Sequence, residues 1–212
     1  MKYIKPYSEF VSESVYYTDE YGEEYYNPSK DGRYKALLRK PINKLSKDDM
    51  LYLYAIHFTR TSSGWYISCD FDDLLKKYRN GRTDWGLDDT HVFFSNIRFP
   101  LKIYRALRKG ETIDDICGKA QSLSWTTDPK IYFEDTSLFK HCDTIVEAEI
   151  DSDVIQNEWT VVNYVLYSSA RYKERENYPE SEISLKPRFK RESLKNLKYL
   201  DKSELKRNIG LI

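Results

Sequence analysis

Ile103-Tyr104-Arg105-Ala106-Leu107 places a guanidinium inside an otherwise apolar run. With Leu101 ahead of it, the run reads as a buried β-strand, and its apolar positions Leu101, Ile103, Ala106 and Leu107 suit a core. An arginine is costly to bury there unless its charge is met. A carboxylate of the chain would meet it as a structural ion pair. An external carboxylate or diphosphate would meet it equally well, because the guanidinium presents a fork of donors. The sequence leaves both open.

Downstream lies Ser122-Leu123-Ser124-Trp125-Thr126-Thr127-Asp128-Pro129. If residues 117–127 form a second strand, Ser122, Ser124 and Thr126 share one face, and Leu123 and Trp125 share the other. The plain reading is a polar surface over a buried Leu/Trp layer. The functional reading is a row of hydroxyls able to orient a carboxylate and a sugar together. Further on, Tyr178-Pro179-Glu180-Ser181-Glu182-Ile183-Ser184-Leu185 follows a polar, charged stretch from Ser168 that reads as an exposed loop. On a strand, Glu180 and Glu182 project to the same side. Two such carboxylates can divide labour, one stabilising positive charge and the other taking a proton from an attacking group. In a chain with 34 acidic residues, Glu-x-Glu also arises by chance.

The chain around these pieces reads as separate helices and strands, an α+β pattern. Residues 1–45 carry the Tyr-rich, acidic segment Tyr16 to Tyr26, which predicts a hairpin or ordered arm turning near Gly22, either covering one side of the domain or docking a partner. Ser46 reads as an N-cap with Asp49 at N3 and a Leu45–Met50 staple, opening a helix that runs to the break at Thr61-Ser62-Ser63-Gly64. His57 falls against the core or at its rim. A second helix is expected over 70–78, and a charged loop over 81–89. Pro129 after Asp128 predicts a short helix to about Phe139. Residues 144–150 alternate as a half-buried strand, and Trp159 to Tyr167 reads as a further β-rich run. From Lys186 to Ile212 nine basic residues face three acidic ones, which fits a solvated face or a phosphate-rich partner. We read 1–212 as one domain, made of an arm (1–45), a helical front (46–96), a core (97–187) and a basic tail (188–212).

Composition narrows the classes. The 34 Lys and Arg equal the 34 Asp and Glu, so no global field draws the chain to nucleic acid or to a membrane. No run approaches the roughly 18 apolar residues of a membrane span, and Met1 to Phe10 lacks a signal-peptide core. Three cysteines (69, 117 and 142) without a C-x-x-C point to a reduced, cytoplasmic protein. His141 beside Cys142 is poor spacing for a shared metal, and none is expected. The 19 tyrosines suit strands and contact surfaces.

Taken in order, Arg on one core strand, Ser-x-Ser/Thr on the next and Glu-x-Glu after a loop resembles the R-S-E clade of ADP-ribosyltransferases. These are the arginine-type relatives of the clostridial binary toxins and the phage-encoded transferases. The resemblance is best over residues 97–187. Ile103 to Leu107 matches the family's aromatic-Arg-Gly-hydrophobic strand, with Ala106 in place of Gly. Ser124-Trp125-Thr126 matches its Ser-Thr-Ser, with Ser122 as a rival register. Glu180-Ser181-Glu182-Ile183 matches its Glu-x-Glu-hydrophobic strand.

That resemblance implies a split β-sandwich and cleavage of NAD at its nicotinamide glycosidic bond. Arg105 would hold the diphosphate. Ser124 or Ser122, with Trp125 and Thr126, would line the NAD site. Glu182 would contact the ribose and stabilise the cation formed as nicotinamide leaves, and Glu180 would activate the acceptor. Tyr172 and Tyr178 would meet that acceptor, a protein arginine or a nucleic acid. The implied setting is an intracellular toxin of a toxin–antitoxin or phage-conflict system, with an inhibitor protein as a possible partner. Alternatives are an NAD glycohydrolase, with water as acceptor, and a non-catalytic binding module on the same fold.

Overall fold

A computed structural model describes residues 16–18, 24–26, 30–61, 76, 86–121, 123–133, 142, 144–168 and 181–211. Ser122, Tyr172, Tyr178, Glu180 and the helix expected over 70–78 lie outside the described residues. So do the loop expected after Ser168 and the second half of the helix expected after Pro129.

β1 (Tyr16–Thr18) and β2 (Glu24–Tyr26) pair antiparallel, Tyr16 against Tyr26, as a hairpin turning near Gly22 requires. Asp31 caps α1 (Gly32–Arg39) by accepting from the Tyr34 N–H at 2.8 Å. The box read at Ser46 forms and starts α2 (Lys47–Thr61). Ser46 Oγ accepts from the Asp49 N–H at 3.1 Å, and Asp49 Oδ2 accepts from the Ser46 N–H at 3.0 Å. Leu45 and Met50 are both in the core, where a staple puts them.

Among the described residues, three helices differ from expectation, and two of them are short. α3 (Leu87–Asn96) begins inside the stretch read as a charged loop. Its acids Asp88 and Asp89 occupy the first turn, where the helix dipole favours them, and Gly86 supplies the left-handed N-cap at φ 63°. The α4 helix (Ile113–Cys117) occupies the stretch just before the expected second strand and ends on the residue where that strand was to begin. It is started by a capping box between Thr112 and Asp115.

The larger correction is α5 (Asn157–Ser168), which covers the run read as β-rich. Its Val, Thr and aromatic residues each lose a few tenths of a kcal/mol in a helix, against about 1.5–3 kcal/mol for burying a large apolar side chain. Val161, Val162, Tyr164 and Val165 are all buried, and α5 packs against α2, α3 and a strand of the sheet. Packing therefore overrides propensity here.

The sheet has five antiparallel strands in the order β6-β4-β3-β5-β7. They are β3 (Leu101–Leu107), β4 (Leu123–Thr126), β5 (Thr144–Ile150), β6 (Glu182–Leu185) and β7 (Lys195–Asp201). Ile103, Leu107, Trp125, Val146, Ala148, Ile183 and Leu185 join the main core with the helices. On the other face Tyr104, Ile145 and Leu200 pack with Ile131, Tyr132 and Leu205. This second core is closed by the 3-10 turn Pro129–Phe133 and by α6 (Lys202–Asn208). Two covered faces explain why β5 is buried almost throughout rather than alternating as the sequence predicts.

The strand ladders are unequal. β3 and β5 stay paired from Leu101–Ile150 to Leu107–Thr144, and β4 and β6 from Leu123–Leu185 to Thr126–Glu182. Between β3 and β4, among the described residues, the register pair is Tyr104–Thr126 alone. Past that pair no further register pair joins the two strands among the described residues, and Arg105 is the next residue of β3.

Candidate active site

The three sequence pieces come together where these strands meet. Arg105 leaves β3 and its Nη1 donates to the carbonyl oxygen of Ser124 on β4, at 2.6 Å. Ser124 Oγ donates to Glu182 Oε1 on β6, the strand beyond. Ser184 Oγ, two residues along β6, donates to the same oxygen at 3.4 Å. Arg105, Ser124, Thr126 and Glu182 line one cavity of about 260 Å³, joined by Arg108 and Tyr132.

Among the described residues nothing meets the charge of Arg105. Among the described residues no carboxylate lies within ion-pair distance of it, and its Nε is buried without a hydrogen-bond partner. The nearest acid by electrostatic influence is Glu111, whose carboxylate is committed to Lys119 at 2.6 Å and to the Arg108 N–H at 3.2 Å. Burial pulls the Arg105 guanidinium below its usual range; Glu111 and Tyr132 oppose that pull and Arg108 adds to it. A cavity carrying two guanidiniums at one side and a serine-held carboxylate among its walls can take a ligand with an anionic and a cationic part.

The other expected residues are placed as follows. Thr126 is buried, and its hydroxyl is engaged in the turn: it accepts from the Asp128 N–H at 3.0 Å and lies 3.2 Å from the Asp128 carbonyl oxygen, to which it donates. Trp125 borders the cavity, but it is 2% exposed and packs in the main core, on the face that strand alternation assigns it with Leu123. It therefore walls the site rather than offering its indole to a ligand. Ala106, which stands where the family pattern has Gly, also borders the cavity. His57 is buried as expected, with Nδ1 3.0 Å from Glu158 Oε1, and takes no part in the cavity lining.

Arg108, Tyr132 and Ser184 were missed by sequence reasoning. Only Ser184 had a readable signal, since position 184 shares a strand face with Glu182. Arg108 lies just past the end of β3, and Tyr132 sits on a turn whose path no periodicity gives.

At least three of the nine basic residues of the tail are answered from within. Arg191 pairs with Asp114 at 2.9 Å, Lys198 with Glu147 at 3.0 Å, and Lys195 with Asp151. Glu147 sits under Lys198 and Lys102, and also receives Tyr104. Burial pushes its carboxyl up, but these partners together carry it below the ordinary glutamate range. A depressed carboxyl contributes stability that is present above its unfolded pKa and fades as pH falls through the folded value. Glu147→Gln is expected to flatten the loss of urea stability between neutral pH and acid, relative to wild type. Parallel acid limbs in the two proteins would show that the network contributes nothing.

Among the described residues, no helix is long and apolar enough to cross a membrane, and no group of three or more His, Cys, Asp or Glu is placed to hold a metal ion. Compared with protein-family models, curated proteins and solved structures, the chain matches none.

Proposed function

We infer that the chain is a mono-ADP-ribosyltransferase that cleaves the nicotinamide glycosidic bond of NAD and passes ADP-ribose to a macromolecule. The observation that carries this reading is the arrangement of Arg105, Ser124 and Glu182 on three neighbouring strands around one cavity, with the Arg105 charge unmet among the described residues. The lone register pair between β3 and β4 among the described residues supports the split β-sandwich of that family, since it is the weakest join in the sheet and lies between β7-β5-β3 and β4-β6.

In this reading Arg105 takes the diphosphate, which holds the scissile bond in a reactive pose. The C1′–N bond breaks and its electron pair leaves with nicotinamide. The ribose is left positively charged, and Glu182, held by Ser124, faces that charge. A full charge about 4 Å from a carboxylate is stabilised by about 4 kcal/mol at an effective dielectric near 20. The acceptor's nucleophile then bonds to C1′ and gives up its proton, the role we assign to Glu180. Because several tail cations are already paired, we favour a protein arginine over a nucleic acid as the acceptor. Consumption of NAD in the cytoplasm would be harmful to a host, so we retain a toxin setting with an inhibitor partner as part of the proposal.

The test is incubation of the protein with NAD labelled in the adenylate, alone and with a cell lysate, followed by protease and nuclease digestion. Labelled protein with nicotinamide release is the expected result. Release without labelled macromolecule would make the chain a glycohydrolase. Neither, from folded protein, would leave a binding module.

A further inference from the structure

Among the described residues, Glu182 is held by one oxygen only. Ser124 Oγ and Ser184 Oγ both donate to Oε1, and among the described residues Oε2 has no hydrogen-bond partner. The two serines are direct register partners across the β4–β6 ladder, so they flank Glu182 from adjacent positions on one sheet face.

Ser184 is also the more firmly fixed of the two. It is buried, its N–H donates to Thr160 Oγ1 at 3.0 Å, and its carbonyl oxygen accepts from the Gln156 N–H at 2.8 Å. Thr160 lies on α5, which ties this serine to the helical layer. Ser124, by contrast, is exposed on the cavity side. A carboxylate held at one oxygen by a single donor can rotate. A second donor on a fixed backbone limits that rotation and leaves the other oxygen available for the reacting sugar.

We propose that Ser184 is a positioning residue that fixes the Glu182 carboxylate through Oε1 and leaves Oε2 for the substrate. The inference rests on the transferase reading for its consequence but not for its geometry. Its test therefore has two readouts, the side-chain 13C carboxylate resonance of Glu182 (assigned with Glu182→Gln) and the kinetics of nicotinamide release.

Ser184→Ala is expected to move the Glu182 resonance and to lower kcat about tenfold, the effect of one lost hydrogen bond to a charged group. KM should stay within about twofold, because the contact is to the carboxylate rather than to the ligand. Ser184→Thr, which keeps a hydroxyl, should restore both. An unmoved Glu182 resonance in folded Ser184→Ala would overturn the proposal, as would an unchanged kcat in an active enzyme. Should Ser184→Ala not fold, Ser184→Cys takes its place under the same criteria, since a thiol is a weak donor of similar size. If the wild type releases no nicotinamide, the transferase reading falls and the resonance still decides the role of Ser184.

Discussion

Glu182→Gln is expected to slow nicotinamide release from NAD by about 10²–10³-fold with little change in KM, the scale seen when one preorganised electrostatic contact to a developing charge is removed. The substitution keeps the shape of the side chain and its acceptor for Ser124 and Ser184, so the fold has no reason to change. What it removes is the negative charge. The substrate gains that attraction only as its ribose turns positive, so the loss belongs in kcat rather than in binding. Measuring release at saturating and sub-saturating NAD separates the two parameters. A Gln variant with wild-type kcat would move the cation-stabilising role away from this residue and leave the cavity without its proposed chemistry.

Arg105→Met is expected to act in the opposite place. A charge-assisted hydrogen bond is worth about 1.5–3 kcal/mol, so losing the diphosphate contact should weaken NAD binding by about 10–150-fold. Stability should hold or rise. The guanidinium is partly buried with an unpartnered Nε and no carboxylate of the described chain beside it, and replacing an uncompensated buried charge by an apolar side chain of similar length relieves a cost. A structural ion pair would predict a large loss of stability on the same substitution. Thermal unfolding and NAD affinity, measured on one variant, therefore decide between the two partners that the sequence left open for this residue. A drop of several degrees in Tm with unchanged affinity would assign Arg105 to the scaffold.

Legibility along the chain followed the range of the forces involved. The Ser46 box and the β3 strand were readable because caps and strand faces are set within a few residues, whereas the contact of Ser124 with Glu182, far apart in sequence, was implied by the family resemblance alone, with Ser122 as its rival. The same alternation that placed Ser124 toward the site places Trp125 in the core, so its assignment to the ligand followed the motif against the strand geometry. The α5 helix was not readable, because Thr160, Val161, Val162 and Val165 favour strands locally and become helical where α2, α3 and β6 enclose them. The near-continuous burial of β5 has the same origin, since a second core on the far face depends on where α6 and the Pro129–Phe133 turn settle. The cavity itself needed coordinates: Arg108 and Tyr132 reach it from beyond the strand ends.

Among the described residues β3 and β4 share the one Tyr104–Thr126 rung, and that rung has a mechanical meaning. Two well-laced ladders meet along a seam, and within the sheet a shear load applied to one reaches the other through that rung and through the Arg105 side chain. Arg105 belongs to one bank of the seam, and Ser124 and Glu182 belong to the other. A ligand gripped at both banks would be a tie-bar across the weakest line of the sheet. Its departure as two separate products would cut that tie.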